Sequence, residues 1–230
     1  EDLDLLSRPL SYVTFDVSAA DAQKHQVQIY LDLSGEWAVN TPDQPVTWES
    51  CSIDGLAAVR LGTEEQPVLA KKGDDLRIDW GYVYLAAARR EGVSLAVHAD
   101  KASRNGFAQE GRLPEKEDTG KPRPAHQDWP VLAAVLDLGT VTEKTTASHL
   151  MIAYDDLYSI ELMGKRLRPY WRRNGMEMDG LLKTAEQEYV SIVDRSRTFN
   201  QSLSDRLNAS GGDVYAKICV LAYREAIAAQ

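Results

Sequence analysis

The hydrophobic pattern of this 230-residue chain changes its period once, and this change sets the fold class. Through most of the chain, apolar and polar residues alternate, as at Val13, Phe15 and Val17, which is typical of strands buried on one face. Beyond Trp171, apolar residues recur at steps of three and four, which is the pattern of an amphipathic helix. The sequence therefore predicts a mainly β protein with a C-terminal α-helical part.

Several segments have strand character and are separated by turn residues or charges: 11–17, 27–33, 46–53, 56–61, 76–88, 93–98, 131–141 and 149–162. No helical pattern lies between them to supply the crossovers that a parallel sheet needs. We therefore expect an antiparallel β-sandwich in which 27–33 pairs with 11–17. Residues 105–128 are rich in Gly, Pro, Lys and Glu, and we expect a long exposed loop inserted within the sandwich.

The C-terminal part predicts two helices. The first covers 180–208 and ends before Gly211-Gly212, and Asp213 can cap the second, over 214–230. The second helix is apolar around most of its circumference, so neighbouring elements have to bury it. We therefore expect a piece of a longer protein, with a sandwich domain at 1–165 and, at 166–230, a linker and the first helices of an incomplete helical domain.

Composition and charge argue against two classes of partner, nucleic acids and membranes. A formal net charge of -9 and a pI near 5.0 argue against nucleic acid, whose phosphates attract basic surfaces. No apolar run approaches the roughly 20 residues that span a bilayer, so we expect a soluble protein that does not bind membranes. Cys51 and Cys219 are expected to be free buried thiols, although a disulfide between them is an open alternative.

The sequence contains no recognisable catalytic or cofactor motif. Phosphate-binding glycine loops, G-x-S-x-G, S-x-x-K and H-E-x-x-H are all absent. The four histidines lie in separate segments, and the chain does not open on a Cys, Ser or Thr nucleophile. We therefore expect no cofactor and no metal site, and the residues alone identify no catalytic group.

Two clusters remain as candidates for a cleft or a contact between domains. In the first cluster, the adjacent carboxylates Asp155 and Asp156 can share acid and base roles if burial separates their pKa values. Alternatively, one of them caps a turn while the other is solvated. In the second, the basic run 165–173, positive charge beside aromatic rings suits a docking surface, or a solvated linker whose rings pack on the sandwich. The candidates are Asp155, Asp156 and Tyr158 in the first cluster, and Arg168, Tyr170 and Trp171 in the second.

Four tryptophans, Trp37, Trp48, Trp80 and Trp129, allow two interpretations. Aromatic faces can stack on sugar rings, but most tryptophans of β-sandwiches pack in the core or at its rim. Packing is the interpretation that we favour.

Several short blocks in order resemble the extracellular glutaminase A-like proteins of fungi and bacteria, including Bacteroides-type gut bacteria. The blocks are Ser7-Arg8-Pro9-Leu10-Ser11-Tyr12, residues 27–40 with Leu33-Ser34-Gly35-Glu36-Trp37, residues 153–160, Leu167-Arg168-Pro169-Tyr170-Trp171 and residues 215–229. Before Gly164, where that family has an aromatic pair, this chain has Leu162-Met163.

The resemblance implies a β-sandwich, a helical linker and the first helix of an α/α toroid of the six-hairpin glycosidase type. It also implies, for the full-length parent, extracellular or periplasmic hydrolysis of glutamine to glutamate and ammonia. The chain is then a non-catalytic region whose partner is the missing C-terminal helical domain. A carbohydrate-associated module of a glycoside-hydrolase-like protein is the alternative, because folds do not fix functions. A pure interaction module is a third interpretation, which the apolar last helix disfavours.

Overall fold

The computed structural model describes residues 2–74 and 76–228. It divides into two compact units, one ending at Lys183 and the other beginning at Thr184. The first unit is an antiparallel β-sandwich and the second is helical, which confirms the predicted fold class. The predicted domain limits, 1–165 and 166–230, stay a prediction, because compactness alone does not define an independently folding domain.

The first unit opens with a short helix, α1 (Leu3–Leu6), and a second helix, α2 (Asp100–Glu110), follows the sixth strand. Single turns of 3-10 helix occupy Gly35–Ala38 and Tyr170–Arg172. The strands of the described residues are β1 (Leu10–Val17), β2 (His25–Ser34), β3 (Pro45–Ile53), β4 (Leu56–Thr63), β5 (Tyr82–Ala88), β6 (Val93–Ala99), β7 (Arg123–Pro124), β8 (Pro130–Val141), β9 (Thr146–Asp155), β10 (Ile160–Leu162) and β11 (Lys165–Leu167).

Two stacked sheets enclose the main core. The larger has the order β1-β9-β5-β4-β3-β7 and the smaller β2-β8-β6, while β10 and β11 form a separate hairpin. The inward faces meet at fully or almost fully buried side chains, among them Leu61, Leu85, Leu132, Leu136 and Leu150. Burying one side chain of this size stabilises the fold by about 1.5–3 kcal/mol, so this layer holds the two sheets together.

The predicted pairing of the first two strands is wrong. β1 pairs with β9 in the larger sheet, and β2 pairs with β8 in the smaller one. Residues 18–24 therefore connect one sheet to the other instead of forming a hairpin. Alternation indicates which face of a strand is buried, but it carries no information about the neighbouring strand.

The insertion is more ordered than predicted. Instead of an exposed loop over 105–128, the structure has α2, and Leu113 and Phe107 pack on the outer face of the smaller sheet. Arg123 is also buried, paired with Asp118 at 2.9 Å. The insertion does lie within the sandwich, as expected, because β8 and β9 complete both sheets after it.

Two predicted strands are too long. Residues 76–81 precede β5 as a loop, and the segment predicted at 149–162 divides into β9 and β10 around residues 156–159. Leu157 has a φ of +57°, a left-handed conformation that a continuous strand does not contain. The apolar residues beyond these strand ends lie exposed at the surface, so the hydrophobic pattern overestimates the length of both strands.

The outer face of the larger sheet is covered as well. Leu150 and Met151 are neighbours on β9 and are both fully buried, so side chains on both faces of this strand are shielded from water. The third helix, α3 (Met178–Ala228), begins beside this sheet, because Lys183 contacts Asp54 in the β3–β4 turn at 4.0 Å. Segment 171–183 is therefore part of the first unit and forms a third layer on the sandwich.

The second unit consists of the rest of α3, which is interrupted at Gly212. Gly212 has φ 81° and ψ 179°, so two helices meet there, as the Gly211-Gly212 pair predicts. The rings of Phe199 and Tyr223 lie 5.8 Å apart, so the two helices fold back on each other. The apolar side chains of the second helix are largely exposed, including Val214, Tyr215, Ile218 and Leu221. The last two residues of the predicted helix, 229–230, lie outside the described residues.

Both cysteines are free thiols, as predicted, although each is half-buried where full burial is expected. Burial raises the pKa of Cys51 to about 11. Within the part of the chain that the structure describes, no helix combines the length and hydropathy needed to cross a bilayer.

Candidate functional site

A buried ion pair joins Asp155, the last residue of β9, to Arg172 in the turn Tyr170–Arg172. The two side chains are only 4% and 2% exposed. The Oδ1 atom of Asp155 accepts a hydrogen bond of 3.0 Å from the Leu157 backbone N–H. Burial raises the pKa of Asp155 and outweighs the opposing effects of Leu157 and Arg172. The pair thus connects an interior strand to the linker and fixes where the linker starts.

Glu177 extends the ion pair toward the solvent. Its carboxylate contacts Arg172 and lies 2.7 Å from Nη1 of Arg168. The hydrogen bond from Arg168 is the main reason that the pKa of Glu177 is lowered. Exposed pairs of this kind contribute about 1 kcal/mol or less, so the contact between Arg168 and Glu177 adds little to the stability of the fold.

Aromatic rings stack on the guanidinium groups of this segment. Measured from Cζ to the ring centre, the pairs are Arg172 with Trp171 at 4.5 Å, Arg168 with Tyr158 at 5.8 Å and Arg173 with Tyr170 at 4.0 Å. The first pair is buried, where such contacts contribute about 2 kcal/mol, compared with about 0.5–1 kcal/mol at exposed sites. Within the basic run, Trp171 and Arg172 are therefore packed against the sandwich, whereas Lys165, Arg166 and Arg168 are exposed.

The structure brings most of the sequence candidates together. Four of them lie in or against the ion-pair network: Asp155, Tyr158, Arg168 and Trp171. Tyr170 is half exposed beside it, and the side chain of Asp156 joins none of its ion pairs. Their role at a contact between domains stays a prediction.

Two members of the network are missed by sequence reasoning. Arg172 belongs to the basic run, but the sequence does not distinguish it from Arg173, which is partly exposed and pairs with Asp4. Glu177 lies past the end of the run. The signal that could identify Arg172 is its position directly after a tryptophan, which shields it from water.

Gly81 fixes the backbone beside Asp155. Its φ is +82°, and a Cβ atom there would lie 1.9 Å from the backbone oxygen of Asp155. The Gly81 N–H donates a hydrogen bond to Oε1 of Gln66 at 2.5 Å, so this bond holds Gln66, which follows β4, next to the end of β9. Only glycine allows this close approach, which fixes where β9 ends and therefore the position of the Asp155 carboxylate.

A second feature of the same loops is an open groove of about 540 Å³ lined by Glu36, Trp37, Arg77, Ile78 and Tyr154. The Trp37 side chain is 55% exposed and presents a ring to solvent. In contrast, Trp80 is used internally, because its Nε1 donates to the Tyr158 carbonyl oxygen at 3.1 Å. Of these two tryptophans, Trp37 is therefore the one whose ring is placed to stack on a ligand.

A cavity of about 340 Å³ lies on the side of the sandwich, between β3, β6 and the insertion. His98 is buried in its wall, and this burial lowers the pKa of the imidazole despite the nearby Asp118 and Glu117. A hydrogen bond to the Pro114 backbone holds the ring. Arg123 binds Asp118 at 2.9 Å, and the exposed Glu117 also lines the cavity near His98.

No group of three or more His, Cys, Asp or Glu side chains is arranged to bind a metal ion within residues 2–74 and 76–228.

Comparison with known proteins gives two matches. The family model for a domain of unknown function, DUF5127, matches residues 1–206. Glutaminase A of Aspergillus oryzae (strain ATCC 42149 / RIB 40) is 29% identical over 237 aligned residues, which include 100% of this chain and 34% of the relative. The chain thus spans about a third of the length of this curated relative.

Proposed function

Because the chain belongs to the DUF5127 domain family, we propose that it is the β-sandwich and linker region of a glutaminase-like amidohydrolase, without catalytic groups of its own. In the full-length parent, the glutamine side-chain amide is hydrolysed: water adds to the carbonyl carbon, the C–N bond breaks, and glutamate and ammonia leave. The observation that carries the proposal is the similarity to glutaminase A over the whole chain. The partner is a C-terminal helical domain of the α/α toroid type, and the protein acts outside the cytoplasm.

The state of the carboxylates supports a non-catalytic role. An acid or base has to reach the substrate within hydrogen-bond distance. Asp155 is enclosed and bound by Arg172, and Glu177 is bound by two arginines. These groups fasten the linker to the sandwich.

The test is Asp155→Asn in the full-length protein, with kcat and thermal stability measured on the same preparation. We expect lower stability, because Arg172 loses its buried charge partner, and an unchanged kcat per folded molecule. A catalytic carboxylate gives the opposite pattern, since loss of acid–base catalysis costs about 10²–10⁴-fold in rate. A kcat loss of that size at unchanged stability would refute the proposal.

A carbohydrate-associated module is the second candidate, and the exposed ring of Trp37 is the observation that favours it. Calorimetric titration of the chain with oligosaccharides separates the two functions. Binding that Trp37→Ala abolishes and Trp129→Ala leaves intact would support the module. Ammonia release from glutamine by the parent, without sugar binding, supports the amidohydrolase.

A further inference from the structure

Exposed apolar side chains of the first unit are concentrated at one end of the sandwich. The strand registers define this end, because Leu10 faces Ala153, Tyr82 faces Asp155 and Ser34 faces Val131. The described residues of the loops 2–9, 35–44, 64–81 and 156–170 lie there. At the opposite end are the short connections 18–24, 54–55, 89–92 and 142–145.

Every exposed large apolar residue described before Thr184 lies in these loops, in the hairpin β10–β11 or directly before β8, whose start is at the same end. They are Leu3, Leu6, Trp37, Leu76, Ile78, Trp129, Ile160, Leu162, Met163, Leu167 and Tyr170. The opposite end has none among its described residues. Single exposed apolar residues are normal on a protein surface, but their concentration at one end marks an interaction surface.

The hairpin β10–β11 is the most exposed part of this apolar end. All six residues of its strands are exposed, and Met163 in its turn is 95% exposed. A two-stranded hairpin is marginally stable by itself, and burying its apolar side chains against another surface would stabilise it. Trp80 anchors only the base of the hairpin, through the Tyr158 carbonyl oxygen.

We propose that the apolar end, with the hairpin β10–β11 at its centre, binds the α-helical region that follows this chain in the full-length protein. The inference rests on the proposed function. The chain covers 34% of glutaminase A, so in a protein of that length most of the polypeptide is available to cover this end. A tethered partner also has a high effective concentration, which favours it over a second copy of the chain.

Charge further defines the partner surface. Lys165 and Arg166 are exposed on β11, next to the apolar residues. Glu161 lies opposite Arg166 in the hairpin and Glu177 binds Arg168, so Lys165 is the cation of this segment without an acidic neighbour in the strand register. A partner that buries the apolar side chains brings its own residues close to these cations. The complementary surface therefore consists of apolar helical residues flanked by Asp or Glu, since unlike charges stabilise such a contact.

Methionine oxidation by hydrogen peroxide, followed by mass spectrometry, tests the proposal without any activity assay. Met163 is exposed in this chain, whereas Met151 and Met178 are buried and serve as internal controls. We expect Met163 to be oxidised rapidly in the chain 1–230 and at least about tenfold more slowly in the full-length protein, which corresponds to a docking free energy of ~1.4 kcal/mol. Equal rates in the two proteins would overturn the proposal.

Two further measurements sharpen the result. Met163→Asp should expose the hairpin to proteolysis in the full-length protein, while Thr145→Asp, at the opposite end, should leave the cleavage pattern unchanged. Identical cleavage of both variants would contradict the proposal.

Slow oxidation in the chain alone, together with a dimer in light scattering, would identify a second copy as the occupant. Protection of Met163 in a full-length parent that does not hydrolyse glutamine would support the docking surface and refute the proposed function.

Discussion

Arg172→Met isolates the contribution of the buried ion pair to stability. The substitution keeps an unbranched apolar stem on Trp171 but leaves the Asp155 carboxylate, 4% exposed, without its cation. Removing one partner of a buried pair costs about 3–5 kcal/mol, because the remaining charge is not compensated. For a domain of this size, 1 kcal/mol corresponds to about 2–4 °C in Tm, so we expect a decrease of roughly 6–20 °C.

The matched control is Arg173→Met, one residue further along. Arg173 also pairs with a carboxylate, Asp4, but the two side chains are 34% and 59% exposed. An exposed pair is worth about 1 kcal/mol or less, so this variant should lie close to wild type. Urea unfolding followed by tryptophan fluorescence gives the free energy of unfolding for both variants.

A double variant, Asp155→Leu with Arg172→Met, separates charge from packing. Replacing both members of a buried pair by apolar residues is often neutral, so the double variant should recover most of the loss. Equal stability of Arg172→Met and Arg173→Met, or a double variant as unstable as the two single changes added together, would show that the unpaired buried charge is not what destabilises Arg172→Met.

Three further outcomes are expected. Gly81→Ala should lower the free energy of unfolding by more than about 3 kcal/mol, because the new Cβ meets the Asp155 backbone. Gly139→Ala should cost only about 1–2 kcal/mol, because its φ of +62° strains an alanine but its Cβ meets nothing within 4 Å. Urea unfolding measures both. Burial alone would raise the pKa of Asp118, but hydrogen bonds from Arg123 and Gly120 lower it. The stabilisation by this carboxylate is therefore present above the unfolded pKa of about 3.9 and is lost as the pH falls through the lower folded pKa, so acid unfolding of Asp118→Asn should show a smaller loss of stability over that pH window. Cys51, with its pKa raised to about 11 by burial, should react with a thiol reagent at pH 8 much more slowly in the native than in the unfolded chain, and mass spectrometry should find no disulfide to Cys219.

The fold class follows from the sequence because alternation is a local property. Val13 and Phe15 identify a strand wherever that strand pairs, and the Gly211-Gly212 pair identifies a helix break without any tertiary contact. The pairing of β1 with β9 joins residues that are far apart in the sequence, for example Leu10 and Ala153, and no local pattern encodes it.

The candidate site shows the same limit. The sequence indicates that Asp155 and the run around Trp171 are unusual, but only the tertiary structure shows that Arg172 is buried against Asp155 while Arg173 pairs with Asp4 at the surface. α2 is missed for a related reason: Gly106 and several charged residues weaken its helical pattern, and packing of Phe107 and Leu113 on the sheet compensates.

The most direct test of the account is ammonia release from L-glutamine by the purified chain 1–230 and, under the same conditions, by the full-length protein that contains it. We expect hydrolysis by the full-length protein and no release above background by the chain alone. Release by the chain at a comparable kcat would contradict the non-catalytic assignment, and an inactive full-length protein would contradict the glutaminase-like assignment.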